Sequence, residues 1–344
     1  MKKLLLLLII PFLGFSQKNN KEVFRTILWE YEECEKAFLE SNSENQFFPI
    51  SYSLEEYLPR VYNQGKTNMC AAYALASART IRFAFENDFR HSRKIDANSF
   101  SPYFLHFYSV EDNKVVKSKF ISRLPVLPVK ALCFMQTSGI ALMNDVEKVE
   151  NAYPFGKGKD GEGKRLQSVY YPGSLEKQRA DSLSAQQYKV DITWARTLDD
   201  IKFEISRGAP VFFGMFSNEG TPPAFKDPVA SGSSDVWDPE SKVECRAIKK
   251  NGKKCKQKKK NSFYCILHPL KGIIQENTVG HAMLIIAYDD DKYQNEGAFQ
   301  ILNSWGAEWG RNGKIWMRYS DFVKLVDFRE DEEGKLNFRA YSVF

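Results

Sequence analysis

Cys70 is the residue whose type and position point most directly to chemistry. It stands ahead of an alanine-rich segment that is predicted to be helical, in NQGKTNMCAAYALASART at residues 63–80. The unpaired N–H groups and the dipole at a helix N-terminus favour an anion, so this position lowers the pKa of a thiol and raises its thiolate fraction. The sequence therefore makes Cys70 a candidate nucleophile.

A nucleophilic thiol needs a base, a group that orients the base, and donors for the developing oxyanion. The candidate bases are the four histidines of the chain: His91, His106, His268 and His281. His281 opens an apolar strand in TVGHAMLIIAY, and Asn303 lies on the next predicted strand, in ILNSWGAEWGRNG. Adjacent antiparallel strands would place the amide oxygen of Asn303 beside the imidazole of His281, where it would fix the ring tautomer.

The elements that must position these residues run from helices in the first half of the chain to strands in the second. This is an α+β pattern with two unlike lobes. Helices are predicted at about residues 70–89, in ANSFSPYFLHFY, in NDVEKVENAYPF, and in TLDDIKFEISRG, where Thr197 and Asp200 form a capping box. Buried strands are predicted at 211–216 and in HAMLIIAYDD, GAFQILNSW and GKIWMRYS.

Taken in order, these motifs resemble those of the papain-like cysteine peptidases of family C1, in their bacterial type. NQGKTNMC has the pattern Asn-Gln-Gly-x-x-x-x-Cys, GHAMLIIAYDD resembles the region of the catalytic histidine, and LNSWGAEWGRNG resembles the signature Asn-Ser-Trp-Gly-x-x-Trp-Gly-x-x-Gly. FSPYFLHFY, VENAYPF and RGAPVFFG are similar to weaker family segments. The resemblance covers roughly residues 50–325. It implies a helical N-terminal lobe, an antiparallel β-barrel-like C-terminal lobe and an active-site cleft between them.

The resemblance also implies a role for each matching residue. Cys70 would attack a peptide carbonyl, and His281 would take its proton and pass it to the leaving amine, resting as an imidazolium beside the thiolate. Asn303 would orient His281, and Trp305 would shield that hydrogen bond from water. The side-chain amide of Gln64 would join the backbone N–H of Cys70 as the oxyanion hole.

Three residues depart from the family pattern close to the nucleophile. Thr67 stands where many members have a disulfide-bonded cysteine, Ala71 replaces the usual tryptophan, and Met69 precedes Cys70. We expect all three to touch the cleft wall. The glycine-rich segment that binds the substrate backbone in typical members has no clear counterpart, since QTSGIA matches it poorly.

The N-terminal residues predict export. Residues 1–16, MKKLLLLLIIPFLGFS, have a basic start, an apolar run and a small-x-small pattern, which predict a signal peptide cut near Ser16/Gln17 and a secreted or periplasmic protein. An uncleaved anchor is the alternative. Residues 17–48 are predicted to be a short helical, pro-like segment, and 49–344 the peptidase domain. No later segment approaches the ~20 uninterrupted apolar residues of a membrane span, so stable membrane insertion is not expected.

A basic insertion at residues 241–270 contains a second set of reactive side chains. CRAIKKNGKKCKQKKKNSFYCILH spaces its ligands as Cys-x9-Cys-x9-Cys-x2-His, which are Cys245, Cys255, Cys265 and His268. Three thiolates and an imidazole suit tetrahedral Zn²⁺, and the segment resembles a small zinc-binding module of bacterial and phage proteins. Because so short a segment has few apolar residues, the metal would supply its folding free energy.

Disulfide bonding is the alternative for this cluster if the compartment is oxidising. Three cysteines leave one unpaired, so a disulfide solution would also need Cys34 or Cys133. The formal net charge of the chain is +6, but nine Lys or Arg lie between Cys245 and Cys265, so the remainder is net acidic. The basicity is local; it could contact a polyanion, although a solvated charge run is the simpler interpretation.

The sequence thus predicts an exported, monomeric cysteine peptidase that hydrolyses peptide bonds through a thioester intermediate, with no cofactor in catalysis and a structural zinc in the insertion. One alternative is a catalytically silent homologue that binds a partner through its cleft and basic module. Another keeps the same chemistry but applies it to acyl transfer or to a non-protein amide.

Overall fold

The computed structural model describes residues 34–65, 67–109, 126–145, 182–217, 242–244, 258–260, 279–293, 296–326, 328–330 and 336–344. The chain divides into two units, Met1–Ala37 and Phe38–Phe344, and the elements below belong to the second. The predicted signal peptide, the helix predicted in NDVEKVENAYPF beyond residue 145, and the four predicted zinc ligands lie outside the described residues.

The described helices lie mainly in the first half of the chain, as predicted. They are α1 (Cys70–Glu86), α2 (Ser92–Ala97), α3 (Pro102–Ser109), α4 (Pro128–Ser138), α5 (Leu198–Ser206) and α6 (Tyr319–Leu325). The predicted capping box is present in α5, because the Thr197 side chain accepts from the Asp200 backbone and the Asp200 carboxylate accepts from the Thr197 backbone. Helix α4 is not among the sequence predictions; it begins with Pro128 at its first position and is followed by Gly139 at φ +83°.

The strands pair mostly in one sheet. They are β1 (Leu39–Glu40), β2 (Ser51–Ser53), β3 (Ile192–Ala195), β4 (Val211–Ser217), β5 (Lys242–Glu244), β6 (Lys258–Lys260), β7 (Val279–Tyr293), β8 (Glu296–Leu302), β9 (Lys314–Arg318), β10 (Phe328–Glu330), β11 (Leu336–Phe338) and β12 (Ala340–Val343). The sheet order is β1-β3-β12-β4-β7-β8-β9, with β2 also paired to β7. Its pairs are antiparallel except β1 with β3, and β5–β6 and β10–β11 form separate antiparallel pairs.

The core forms where α1 packs against β7. The inward side of α1 is rich in alanine, and residues such as Ala72 and Ala76 are almost completely buried, so the helix can approach the sheet closely. Strand β7 is buried continuously from His281 to Tyr288, which is typical of a strand covered on both faces. This packing holds the first residue of α1 against the first residues of β7. Among the described residues, none of the helices combines the length and the apolar character needed to cross a membrane.

Residues 38–48, which the sequence assigned to a pro-like segment, pack within the main unit. Strand β1 extends the sheet beside β3, Phe38 packs edge-on against Tyr341, and Phe48 packs edge-on against Tyr288. The structure therefore places the boundary of the main unit at Phe38, eleven residues before the predicted start at Pro49. The sequence pattern misses this because a two-residue strand has no periodicity to detect.

The buried carboxyl of Glu204 joins this N-terminal segment to the C-terminal strand. Its Oε1 accepts from the Ser41 hydroxyl at 2.6 Å and its Oε2 from the Ser342 hydroxyl at 3.2 Å, and the residue is 0% exposed. Burial raises the pKa of Glu204, with Asp200 adding to the effect, whereas the two serines and Arg207 lower it; the net direction is upward.

Glu204→Gln should flatten the pH dependence of stability. The folded protein holds the Glu204 proton to a higher pH than the unfolded chain, where a glutamate pKa is about 4.3. The stability from this group is therefore fully present below the unfolded pKa and is lost as the pH rises through the folded pKa. Between about pH 4 and pH 7 the free energy of unfolding, from urea titrations, should fall less in Glu204→Gln than in wild type. Glu308→Gln, at an exposed position, is the control and should follow the wild-type curve; a Glu204→Gln curve parallel to wild type would contradict the assignment.

Candidate active site

Cys70 is the first residue of α1 and a free, partly exposed cysteine. No side chain caps the helix, and the backbone N–H groups of Cys70 and Ala71 donate to the sulfur. The backbone N–H of Ala282, on β7, donates to it as well. Burial raises the pKa of the Cys70 thiol and outweighs the lowering by these three donors. The expectation of a lowered pKa from the helix N-terminus alone therefore needs correction, because desolvation of the thiolate is the larger effect.

His281, one residue before Ala282, is hydrogen-bonded to Asn303. Its Nε2 lies 2.8 Å from Asn303 Oδ1, and the same oxygen accepts from the backbone N–H of Ser304 at 2.8 Å. The Ser304 N–H can only donate, so it identifies the atom as the amide oxygen and fixes the orientation of the side chain. Because that oxygen can only accept, Nε2 carries the hydrogen, and Nδ1 is the basic nitrogen of the neutral ring.

The antiparallel pairing of β7 with β8 brings these two residues together. The register sets Leu284 opposite Leu302, and Asn303 directly follows the end of β8 rather than lying on the strand. The aromatic ring of Trp305 stacks on the imidazole, with ring centres 4.7 Å apart and planes at 28°, and Trp309 packs edge-on behind it. His281 is only 6% exposed. Burial lowers the pKa of His281 to about 4, against the Asn303 hydrogen bond, which raises it.

Gln64 is buried beside the same segment, and its amide is held at both ends. Its Nε2 donates to the Thr67 carbonyl at 2.9 Å, while its Oε1 accepts from the Ser304 hydroxyl at 2.5 Å. A donor at one end and an acceptor at the other leave one orientation of the amide, with nitrogen and oxygen assigned by their partners. The Ser304 hydroxyl therefore positions Gln64.

Residues 62–64 pair with residues 304–306 through their backbones. Gln64 N–H donates to the Ser304 carbonyl at 2.8 Å, and Gly306 N–H donates to the Tyr62 carbonyl at 2.9 Å. Between these bonds, Asn63 forms an antiparallel bridge with Trp305. The pairing joins the segment that leads into α1 to the segment that follows β8. Sequence reasoning missed it, although the serine between Asn303 and Trp305 within one motif was a signal for a role of Ser304.

The structure brings Gln64, Cys70, His281 and Asn303 into one connected site, with Trp305 over the imidazole. The three residues that differ from the family pattern near Cys70 are not part of this connected site. Thr67, Met69 and Ala71 are each at most 4% exposed. They are therefore packed in the interior, with almost no surface of their own left to contact a substrate. Thr67 instead closes the turn before α1, since its hydroxyl donates to the Gln64 carbonyl at 2.7 Å.

The predicted zinc ligands Cys245, Cys255, Cys265 and His268 lie outside the described residues. In the part of the chain that the structure describes, no group of three or more His, Cys, Asp or Glu side chains is placed to hold a metal ion. Cys34 and Cys133 are each disulfide-bonded.

Comparison with known proteins agrees with this geometry. Residues 242–326 match the family model described as papain family cysteine protease, which is about a quarter of the chain. Xylellain, a cysteine protease from Xylella fastidiosa, is similar in structure with a TM-score of 0.52 and 19% identity, over 90% of this chain and 91% of that one. No curated protein matches the chain.

Two other solved structures align less closely. Digestive procathepsin L 3 of Tenebrio molitor has a TM-score of 0.47 at 12% identity, over 83% of this chain and 69% of that one. The cysteine protease and lectin-like domains of Cwp84, a surface layer associated protein of Clostridium difficile, have a TM-score of 0.49 at 12% identity, over 96% and 60%. The predicted papain-like α+β fold is confirmed by the similarity to xylellain. The family match over residues 242–326 agrees with the predicted enzyme class, a cysteine-type peptidase.

Gly306→Ala should destabilise the pairing of residues 62–64 with residues 304–306. Gly306 has φ +86°, and an added Cβ would lie 3.0 Å from Asn63 Nδ2. An L-residue held at this φ costs on the order of 1–3 kcal/mol of unfolding free energy, to be measured by urea titration. Gly214→Ala is the matched control, because a Cβ there has nothing within 4 Å; it should change stability by no more than about 1 kcal/mol. Equal stability of the two variants would count against a constraint at Gly306.

Proposed function

We propose that this chain is an exported cysteine peptidase that hydrolyses peptide bonds through a thioester on Cys70. The observation that supports it most is the connected set of contacts from Asn303 through His281 to Cys70. Asn303 Oδ1 accepts from His281 Nε2 at 2.8 Å, and the next backbone N–H after His281, that of Ala282, donates to the Cys70 sulfur. The nucleophile therefore contacts the residue that directly follows the base in the chain, and the base is held in one tautomer.

In the first step the proton of the Cys70 thiol moves to Nδ1 of His281. Nδ1 is the acceptor because Nε2 already donates to Asn303. Burial by itself disfavours both products, since it raises the pKa of Cys70 and lowers that of His281. The transfer avoids an isolated buried charge because it forms thiolate and imidazolium together, each as the counterion of the other.

The thiolate then attacks the peptide carbonyl. As the sulfur–carbon bond forms, the carbonyl electron pair moves to oxygen, and the backbone N–H of Cys70 and the side-chain amide of Gln64 stabilise that oxyanion. Gln64 suits this role because Ser304 and Thr67 hold its amide in one orientation. Preorganised donors of this kind cost no reorganisation during the reaction.

Collapse of the oxyanion breaks the carbon–nitrogen bond, and the His281 imidazolium gives its proton to the leaving amine. The acyl group remains on Cys70 as a thioester. Water then attacks the thioester while neutral His281 accepts its proton, and the proton returns to the sulfur as the carboxylic acid leaves. Trp305, stacked on the imidazole, limits the access of water to the bond between His281 and Asn303.

Alkylation by a thiol-reactive epoxide tests the pair of Cys70 and His281. Wild type should label rapidly at pH 7, and His281→Ala should label more slowly by about 10²-fold or more, because its thiol ionises only as the pH approaches a pKa that burial raises. Labelling in that variant should therefore increase with pH. His91→Ala, at an exposed histidine, is the matched control and should label like wild type.

Cleavage of a peptide library by the same proteins separates the candidate functions. Wild type and His91→Ala should cleave, while Cys70→Ser and His281→Ala should not. Slow labelling at pH 7 that His281→Ala does not change, together with no cleavage, would contradict the peptidase and favour the silent, partner-binding homologue. Rapid labelling without peptide cleavage would instead point to acyl transfer or a non-protein amide.

We also propose that the basic insertion holds a structural Zn²⁺ through Cys245, Cys255, Cys265 and His268. The antiparallel pairing of β5 with β6 supports this, because it sets Glu244 opposite Lys258. The two ends of the segment that contains the first two cysteines therefore lie close together. Thiolate and imidazole ligands are the set that tetrahedral zinc prefers.

Elemental analysis of the purified protein should find about one zinc ion per chain, and Cys255→Ser should lose it because one of the four ligands is removed. Cys70→Ser is the control and should keep the metal. Peptide mapping should also identify the disulfide partners of Cys34 and Cys133. A disulfide from either of them to Cys245, Cys255 or Cys265 would contradict the zinc site.

Export is supported by the signal-like residues 1–16 and by the disulfides of Cys34 and Cys133, since disulfides persist mainly in oxidising compartments. The N-terminal sequence of protein recovered from cells should begin at Gln17, and an intact Met1 would contradict cleavage. We propose peptides or proteins as the substrates of a monomer. Any contact with a polyanion would be made by the Lys-rich insertion.

A further inference from the structure

Thr67 lies in the chain between the two donors of the proposed oxyanion hole, the side-chain amide of Gln64 and the backbone N–H of Cys70. Gln64 precedes Cys70 by six residues, so both donors belong to one short stretch. The turn that Thr67 closes connects them, and it therefore sets their separation. Thr67 itself is 4% exposed, so any effect that it has on a substrate must act through its neighbours.

Two hydrogen bonds run from Thr67 to the carbonyl oxygen of Gln64, and they differ in strength. The Thr67 hydroxyl donates at 2.7 Å, whereas the Thr67 backbone N–H donates at 3.4 Å. An O–H donor is usually about 2.7–2.8 Å from its acceptor, and an N–H donor about 2.9–3.0 Å, so the backbone bond is long and weak. The hydroxyl, rather than the backbone, therefore holds the turn closed.

A third bond runs in the opposite direction and orients the amide. Gln64 Nε2 donates to the backbone carbonyl of Thr67 at 2.9 Å, while the Ser304 hydroxyl holds Gln64 Oε1 at 2.5 Å. Ser304 thus fixes the oxygen end of the amide and Thr67 fixes the nitrogen end, which is the end that donates. Because the turn determines where the Thr67 carbonyl lies, the Thr67 hydroxyl also determines the direction of Nε2.

The backbone of this turn needs such a bond. Gly65 follows Gln64 with φ +60°, and its N–H donates to Asn63 Oδ1 at 2.8 Å. Glycine gives the turn this conformation, but it has more backbone freedom than any other residue. Threonine reduces the freedom of the donor, because a β-branched side chain is restricted at χ1. The hydroxyl bond is also buried, where hydrogen bonds are electrostatically stronger than in water.

We propose that Thr67 is a positioning residue of the peptidase, and that its hydroxyl sets the distance between the Gln64 amide and the Cys70 N–H. The inference rests on the proposed function, since an oxyanion forms only when a carbonyl is attacked. The hydroxyl keeps both donors directed at one oxygen. Because the charge on that oxygen develops only towards the transition state, the hydroxyl contributes to kcat rather than to KM.

Thr67→Val tests the hydroxyl, because valine keeps the size and the β-branching of the side chain. With a peptide that wild type cleaves, kcat should fall about tenfold or more and KM should stay within about twofold. Thr67→Ser restores the hydroxyl and should recover most of the lost kcat. Alkylation of Cys70 by iodoacetamide forms no oxyanion, so Thr67→Val should react at the wild-type rate at pH 7. Thr67→Ala removes the same hydroxyl with a smaller side chain and replaces Thr67→Val if that variant does not fold.

The double variant Gln64→Ala/Thr67→Val shows whether Thr67 acts through Gln64. Gln64→Ala should lower kcat by about 10²-fold or more, since it removes an oxyanion donor. Adding Thr67→Val should then change kcat by less than about twofold, because the amide to be positioned is absent. Thr80→Val is the matched control: Thr80 is also buried, and its hydroxyl donates to the Ala76 carbonyl at 2.8 Å, away from the site. It should lower stability and leave kcat unchanged.

Three results would overturn the inference while leaving the proposed function intact. They are a wild-type kcat in Thr67→Val, a further loss of similar size when Thr67→Val is added to Gln64→Ala, and an equal loss of kcat in Thr80→Val. A wild type that cleaves no peptide would overturn the proposed function, and this inference with it.

Discussion

The antiparallel pairing of residues 62–64 with residues 304–306 is the interaction on which the candidate site depends. It joins the segment that enters α1, and hence the nucleophile, to the segment that carries the group orienting the base. Backbone hydrogen bonds set this register, so it does not rely on the flexible ends of long side chains. Gly306 makes the approach possible, because its positive φ and missing Cβ leave room for Asn63. The positions of the reactive side chains therefore depend on this backbone pairing, which lies next to them in the structure.

Ser304 gives this pairing its chemical consequence. Its backbone N–H and its hydroxyl orient two different amides, those of Asn303 and Gln64. One residue thus determines both the tautomer of His281 and the direction of the proposed oxyanion donor. The orientation of Asn303 and the orientation of Gln64 both depend on Ser304, so a substitution of Ser304 would alter both.

Burial is the main electrostatic feature of the site. The helix N-terminus and the Ala282 N–H favour a thiolate, but desolvation is larger and raises the pKa of Cys70, while it lowers that of His281. Burial therefore disfavours a thiolate alone or an imidazolium alone, but it disfavours the two together less because each is the counterion of the other.

Several features followed from the sequence because they are local. The start of α1 at Cys70, the capping box of α5, the strands β4, β7, β8 and β9, and the order of the cysteine, histidine and asparagine motifs all depend on spacing within a short segment. The short strands β1 and β12 were not predicted, because each is stabilised by partners that are distant in sequence; β12, for example, lies between β3 and β4.

The tertiary structure alone decided how these pieces act together. The role of Ser304, the burial of Thr67, Met69 and Ala71, and the raised pKa of Cys70 all arise from contacts between segments distant in sequence or from the desolvation that such contacts produce. The sequence determined which groups are present and in what local element, because propensity and hydrogen-bonding type belong to the residues themselves. Distance and solvent access belong to the packed chain, and they decide which group is charged and which partner it meets.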